Sequence, residues 1–447
     1  MNQKQIIRIT DNCPKKEISQ AQAEALMSLS GIPLGEIKDT YQKSLLIFPE
    51  NLSDCKDKIQ DKPIYNIIGG KYLQTENVMG FVGIGNTQLK IGSRFDKDSQ
   101  IQESKDYFFQ YMLSRVLQIN LVNLDFSYEE ENVFDLLVYF FPIFLQSAME
   151  QGLYREYQTF EHNDGRLRGV LDISRHIRNN IPFTGKISYK TREHSTDNNI
   201  TELIRHTIEY IYAKPSLRPI LSCDEQTKKC VSQIVMATPS YSKSKRTAII
   251  AKNLRPTIHP YYSEYTTLQK LCVMILRGEQ NRYGNDDNEV YGLLIDGAWL
   301  WEAYLNTLLS KQGFTHPENL RGSNPINLFK HTKIPRYPDF YSKDIVLDAK
   351  YKKLESKRNL GQFDRNDLNQ VIVYMDLLAL DRGGYIFPAT SEESKVFSDE
   401  ISTRGGTMYG IGLEIPQGCS SFDEFFSRIS KNEATFIKRI HNITTIS

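Results

Sequence analysis

The apolar positions change their period along the chain, and the changes divide it. Up to about residue 100 the pattern is short and alternating. Ile6-Ile7-Arg8-Ile9 alternates, Leu45–Phe48 and Tyr65–Ile68 are brief apolar runs, and residues 80–92 read as strand, turn and return strand. Residues 21–30 predict one short helix. From about 105 to 285 the spacing lengthens toward the helical period over 107–117, 133–151 and 200–212. A polar interval at 160–173, with a turn at Asp164-Gly165, separates the last two. The stretch 281–289, containing Gly284-Asn285-Asp286-Asp287, closes this region. From Tyr291 onward the pattern predicts a helix over 295–311, two strands within 339–351 turning at Ser342-Lys343-Asp344, and a helix over 367–380 closed by Gly383-Gly384. Strands at 385–387 and 409–415 and a terminal helix from Phe422 follow. The expected fold is a multidomain α/β protein: a β-rich region at 1–104, a mainly helical one at 105–285, and a small α/β layer domain at 286–447.

Composition narrows the function classes. The chain has 447 residues, too many for one ordinary core; 40% are hydrophobic and 24% charged, a globular balance rather than a disordered one. Its 55 basic and 54 acidic residues leave a net charge of +1, so nucleic-acid contact must come from local patches. Lys243, Lys245, Arg246, Lys252 and Arg255 form one basic stretch, and Arg166 and Arg168 another; runs of this density are more often solvated faces. The greasiest segment, 133–145, is short and carries Asp135 and Pro142, and the start lacks a signal peptide's apolar core, which predicts a cytoplasmic chain without a membrane span. The six cysteines form no C-x-x-C pair, so zinc and disulfide frameworks are not expected. No G-x-x-x-x-G-K-[ST] occurs, and the glycines of 80–85 have the wrong spacing for G-x-G-x-x-G; a hairpin is the better reading.

One ordered set of residues carries chemistry. Phosphodiester hydrolysis needs hard oxygen ligands for Mg²⁺ and a cation that activates water or stabilises developing charge. Pro338-Asp339, then Val346-Leu347-Asp348-Ala349-Lys350, supplies them. Alternation puts Asp348 and Lys350 on one face of a strand, and a turn at 342–344 brings Asp339 near Asp348. The Ala349 carbonyl is a further candidate oxygen ligand. D-x-K alone is weak, because such triplets also occur on surface hairpins. Here the pair ends an apolar run, Ile345-Val346-Leu347, where unpaired charge is costly. On the preceding helix Glu302 interrupts a stripe of Ile295, Ala298, Leu305 and Leu309, which places an acid on the inward face. On the following helix Gln370 and Tyr374 are one turn apart. Their alternative readings, an acid paired in a core and a polar helix surface, lose ground once all the pieces stand in order.

This order, E … PD … DxK … QxxxY, resembles the PD-(D/E)xK nuclease superfamily. Glu156-Tyr157, Arg166-Leu167-Arg168-Gly169-Val170-Leu171-Asp172, Thr196-Asp197-Asn198-Asn199 and the 80–91 region are, in that company, similar to the McrC family, the nuclease subunits of McrBC-type and LlaJI-type restriction systems. The resemblance implies a restriction-endonuclease-like C-terminal domain in which Asp339 and Asp348 bind Mg²⁺, with Glu302 as an additional acid. It implies that Lys350 orients the attacking water and that Gln370 and Tyr374 shape the site or touch DNA. It further implies a separate McrB-like AAA+ GTPase that binds GTP and recognises double-stranded DNA. The N-terminal part of this chain would dock on that ring and stimulate its hydrolysis. Cutting both strands with one site per chain implies that two copies meet. Two other functions stay open from sequence: a non-catalytic adaptor of an AAA+ ring, and a stand-alone repair nuclease of the same fold. The histidines suggest no ligand set; His331, nearest the motif in sequence, reads as a loop residue.

Overall fold

A computed structural model describes residues 5–41, 45–49, 59–85, 87–95, 106–117, 135–255, 259–280, 290–317, 325–354, 360, 363–390, 396–402 and 404–445. The chain gathers into two compact units. One combines Met1–Tyr128 with Asn285–Ser447, and the other is Glu129–Gly284. The second lies within the region expected at 105–285, while the described residues 106–117 at the start of that region fall in the first unit. The first joins the two outer regions that the sequence pattern separates.

The N-terminal part of the first unit begins with β1 (Gln5–Thr10), β2 (Lys16–Glu17), α1 (Gln20–Leu26), α2 (Leu34–Thr40) and β3 (Leu45–Phe48). It continues with β4 (Tyr65–Ile68), β5 (Tyr72–Thr75), β6 (Val78–Ile84), β7 (Thr87–Gly92) and α3 (Tyr107–Val116). Ser19 starts α1 because its hydroxyl accepts from the Gln22 amide while the Gln22 side chain reaches back to the Ser19 amide. β6 and β7 form the expected antiparallel hairpin. Its glycines serve close packing: a Cβ on Gly80, at φ +120°, would lie 2.1 Å from the Leu293 carbonyl oxygen, and one on Gly83 would strike the Tyr291 ring.

The second unit contains α4 (Asp135–Val138), α5 (Phe141–Glu150), β8 (Glu156–Asp164), β9 (Val170–Leu171), α6 (Ile173–Asn180) and β10 (Ile187–Ser195). The helices α7 (Asn199–Ala213), α8 (Glu225–Ala237), α9 (Arg246–Lys252) and α10 (Glu264–Gln280) complete it. The helical core closes on Leu145, Leu203, Ile211, Ile234 and Leu271. Within the expected helix at 133–151 the structure places two, with Pro142 in the first turn of α5; residues 133 and 134 lie outside the described residues. The polar interval at 160–173 is not a loop. It runs through β8, which pairs with all of β10, and β9 adds a third strand in the order β8-β10-β9. Neither strand has an apolar face, which is why periodicity misses them. α6 is inverted: Asn180 is buried on Asn163 and Ser188, while Ile173 and Ile177 are 63% and 54% exposed.

The C-terminal part of the first unit starts with β11 (Val290–Asp296), α11 (Gly297–Leu309), β12 (Ile326–Asn327), β13 (Pro335–Arg336), β14 (Phe340–Tyr341) and β15 (Val346–Ala349). It ends with α12 (Arg365–Leu378), β16 (Arg382–Ala389), β17 (Val396–Glu400), β18 (Thr407–Glu414) and α13 (Phe422–Thr445). Ile295 belongs to β11, not to the helix expected at 295–311; Asp296 caps α11 through the Ala298 amide. β11 is inserted between β6 and β3 of the N-terminal sheet, whose order is β1-β7-β6-β11-β3. That insertion is what unites the two outer regions. A second five-stranded sheet has the order β14-β15-β16-β18-β17. α12 stops where Ala379 takes a left-handed conformation, and Gly383-Gly384 lie inside β16 rather than closing the helix. Among the described residues no helix is long and apolar enough to cross a membrane.

A buried carboxylate joins three helices of this unit. Tyr111 of α3 and Tyr304 of α11 both donate to Glu433 Oε1 of α13, at 2.8 and 2.7 Å. Replacing Glu433 with Leu strands two buried hydroxyls and is expected to destabilise the unit by about 2–4 kcal/mol, whereas Glu433→Gln keeps an acceptor and costs ~1 kcal/mol; urea denaturation of the two variants measures the difference. In the second unit, burial and the nearby Arg246 and Arg205 guanidiniums push the His206 imidazole down to about 4. The unfolded chain then takes up a proton near the ordinary histidine pKa that the folded unit refuses. This part of the stability is present above about pH 6.5 and is lost as pH falls toward about 4. Thermal melts across that window are expected to show a shallower pH slope for His206→Asn than for the native chain.

Candidate active site

The register of one short hairpin builds the site. In β14 and β15, Phe340 lies opposite Leu347 and Tyr341 opposite Val346, so the next position sets Asp339 across from Asp348. Both acids are 1% exposed. The Ala349 amide donates to Asp339 Oδ2 at 2.7 Å, which fixes that carboxylate against the end of β15. β15 pairs with β16 in parallel, and the Lys350 amide continues the ladder to the Ile386 carbonyl. Side chains alternate, so Val346, Asp348 and Lys350 share one face. Val346 packs there with Val371, Tyr374 and Met375 of α12.

The Lys350 ammonium sits between two carboxylates, 2.8 Å from Asp348 Oδ2 and 2.9 Å from Asp367 Oδ1. Burial alone would depress its pKa, yet Asp348 and Asp367 together hold it above the usual lysine range. Asp367 is held below the ordinary carboxylate range despite its own burial, because Lys350 and then Lys352 favour its anion. Asp348 Oδ1 is buried with no hydrogen-bond partner among the described residues. An acceptor in that condition is costly unless something absent from the protein chain satisfies it.

Gln370 and Tyr374 stand where the sequence places them, on one face of α12. The Gln370 amide donates to the Tyr374 hydroxyl at 3.0 Å, and that hydroxyl reaches the Tyr337 carbonyl at 3.5 Å. Burial raises the Tyr374 pKa, the Gln370 bond opposes the rise, and the Asp348 charge adds to it, which marks Tyr374 as a neighbour of the site. Glu302 is less central than the sequence stripe implies. The buried face of α11 runs through Leu300, Trp301, Tyr304, Leu305 and Leu308, and Glu302 flanks it with a partly exposed side chain. It approaches the acids through His316: Glu302 Oε1 is 3.8 Å from His316 Nε2, and His316 Nδ1 lies 2.6 Å from the Asp339 carbonyl oxygen. A carbonyl only accepts, so Nδ1 carries the hydrogen. A two-residue bridge between Thr315 and Tyr341 puts His316 there.

Sequence reasoning missed Asp367 and His316. Asp367 had a signal, since 367, 370 and 374 fall on one helical stripe. His316 had none, because its place depends on a single bridge far from the motif in sequence. Among the described residues no three His, Cys, Asp or Glu side chains form a set that could hold a metal ion, so Asp339, Asp348 and Glu302 are not gathered as three ligands. Two carboxylates side by side, one with an oxygen lacking a partner, still fit Mg²⁺, which keeps several waters and commonly uses one or two protein carboxylates.

Among solved structures, the refined half-complex from a tetradecameric assembly of Thermococcus gammatolerans McrB AAA+ hexamers with bound McrC contains a chain that is 17% identical. The TM-score is 0.50, and 97% of this chain and 100% of that chain are covered. At that identity the likeness concerns the fold. A chain of the cryo-EM structure of the Thermococcus gammatolerans McrBC complex is 18% identical at a TM-score of 0.35, covering 68% of this chain and 87% of that one. No curated protein matches. The family model described as McrBC 5-methylcytosine restriction system component matches residues 73–388, well over half of the sequence, and the chain belongs to that family.

Proposed function

We propose that this chain is an McrC-like, Mg²⁺-dependent DNA endonuclease subunit with a PD-(D/E)xK nuclease domain, working with a McrB-like AAA+ GTPase that binds the GTP. One observation carries the reading: Asp339 and Asp348 are buried side by side across a strand pair, with Lys350 directly after the strand that holds Asp348. Asp339, Asp348 and the Ala349 carbonyl would hold Mg²⁺, which supplies charge stabilisation at a phosphoryl centre when bound. The Lys350 ammonium can only donate hydrogen bonds and would orient water or a phosphate oxygen. Asp367 positions that ammonium, and Gln370 with Tyr374 braces the wall beside Asp348. Glu302 and His316 position Asp339 from behind. The competing adaptor reading draws on the lack of a three-acid cluster among the described residues.

The second unit offers a surface for the ring. Val170, Ile173, Ile177, Ile181 and Phe183 are all more than half exposed along β9, α6 and the following turn. Clustered apolar exposure of this kind marks a protein-binding face. On this reading ring docking uses the second unit, as an alternative to the N-terminal part that the sequence resemblance implies.

Two measurements follow. With the GTPase partner, GTP, Mg²⁺ and duplex DNA, Asp348→Asn and Lys350→Met are each expected to slow cutting by about 10²-fold or more. Stimulation of GTP hydrolysis should persist in both; its loss would assign these residues a structural role, and failure of the native chain to bind Mg²⁺ in a titration would favour the adaptor. Conversely, Ile177→Asp with Phe183→Asp should abolish GTPase stimulation while the purified chain keeps its melting temperature. Undiminished stimulation would remove α6 as the docking face.

A further inference from the structure

We infer that the β12–β13 hairpin is a double-stranded DNA contact that delivers the backbone to the acid pair. The inference rests on the cleavage site proposed at Asp339 and Asp348 and adds the surface that would hold its substrate.

The hairpin is short and held at its base. Ile326 pairs with Arg336, Asn327 with Pro335, and the Leu328 amide bonds the Ile334 carbonyl. The turn from Phe329 to Lys333 is exposed throughout. Between Pro325 and Pro338 there are three permanent cations, Lys330, Lys333 and Arg336, one histidine, His331, and no acid. None of the three cations is ion-paired with a described residue. In a chain whose overall charge is +1, an uncompensated cluster of this density is a local field, and polyanions are what such a field concentrates. Phe329 adds a second, independent feature. It is 56% exposed at the tip, where an apolar ring among lysines gains nothing from water. A ring flanked by phosphate-binding cations is suited to press into a groove or against a base step.

Position ties this surface to the site. β13 ends at Arg336, and only Tyr337 and Pro338 separate it from Asp339. The Tyr337 carbonyl is the one approached by the Tyr374 hydroxyl, and the Arg336 charge is felt at that same hydroxyl. A backbone lying along Lys330, Lys333 and Arg336 therefore runs on toward the acids. The other basic stretch, at 241–255, differs. Lys245 bonds the Ser240 carbonyl, Lys252 bonds Asn199 Oδ1, and the Arg246 guanidinium lies 5.5 Å over the Tyr210 ring, so these three cations serve their own fold.

The test is duplex binding by the full-length chain in metal-free buffer, titrated at several salt concentrations by fluorescence anisotropy. Removing all three charges, by Lys330→Gln, Lys333→Gln and Arg336→Gln together, is expected to weaken binding ~10-fold or more and to flatten the log–log salt slope by about 2–3, since each phosphate contact contributes ~0.9. Phe329→Ala should weaken binding several-fold with the slope unchanged. A matched set in the other unit, Lys243→Gln with Lys245→Gln and Lys252→Gln, should bind as the native chain does. An unchanged slope in the triple variant, or tighter binding of the native chain to single-stranded DNA or RNA than to duplex, overturns the inference. Asp348→Asn separates it from the cleavage reading: that variant should bind duplex normally and fail to cut, and if it still cuts, the cleavage site falls while the hairpin is judged on binding alone.

Discussion

The antiparallel register between β14 and β15 is the constraint on which the candidate chemistry depends. Only one pairing of these short strands puts Asp339 across from Asp348, and the bond from the Ala349 amide to Asp339 Oδ2 holds it. A slip of one residue would turn Asp348 to the opposite face and bring Leu347 or Ala349 into its place. So short a hairpin does not fix itself. β15 is held by β16 on its far side and β14 by Thr315, and each neighbour supplies the hydrogen bonds that two strands alone could not make count.

Beyond the motif, the strand is anchored by Tyr351. Its ring is buried against Phe95, its hydroxyl meets Ser93 Oγ at 2.8 Å, and a side chain on Gly297 would collide with it. The residue after Lys350 is thus planted in the end of the N-terminal sheet. Next to it the Arg94 guanidinium pairs with buried Asp11 and also bonds Asn77. Desolvation pushes the Asp11 carboxyl upward while Arg94 pulls it back, so the arginine is what makes the buried acid tolerable. Within this unit the acid pair is positioned from both sheets.

Much of this was legible in sequence where one residue type has one use. The β6–β7 hairpin, the α12 face with Gln370 and Tyr374, and the order of acids and lysine followed from period and spacing. What was hidden depends on partners distant along the chain. Apolar run 290–296 reads as the lead-in to a helix, and only β3 and β6 on either side make it a strand. β8 and β10 show no apolar alternation, since β10 buries only the neighbours Ser188 and Tyr189 and no residue of β8 is buried. Glu302 was placed by a stripe that included Ile295; once that residue belongs to β11, the buried face rotates and the acid moves to its edge.

The insertion of β11 has a consequence for synthesis on the ribosome. The strand beside β6 and β3 is translated only after the whole of Glu129–Gly284 has been made. Until then β6 and β3 lack the strand that joins them, and unfilled backbone edges are templates for wrong pairing. The order of manufacture thus leaves the middle of this sheet to be filled last.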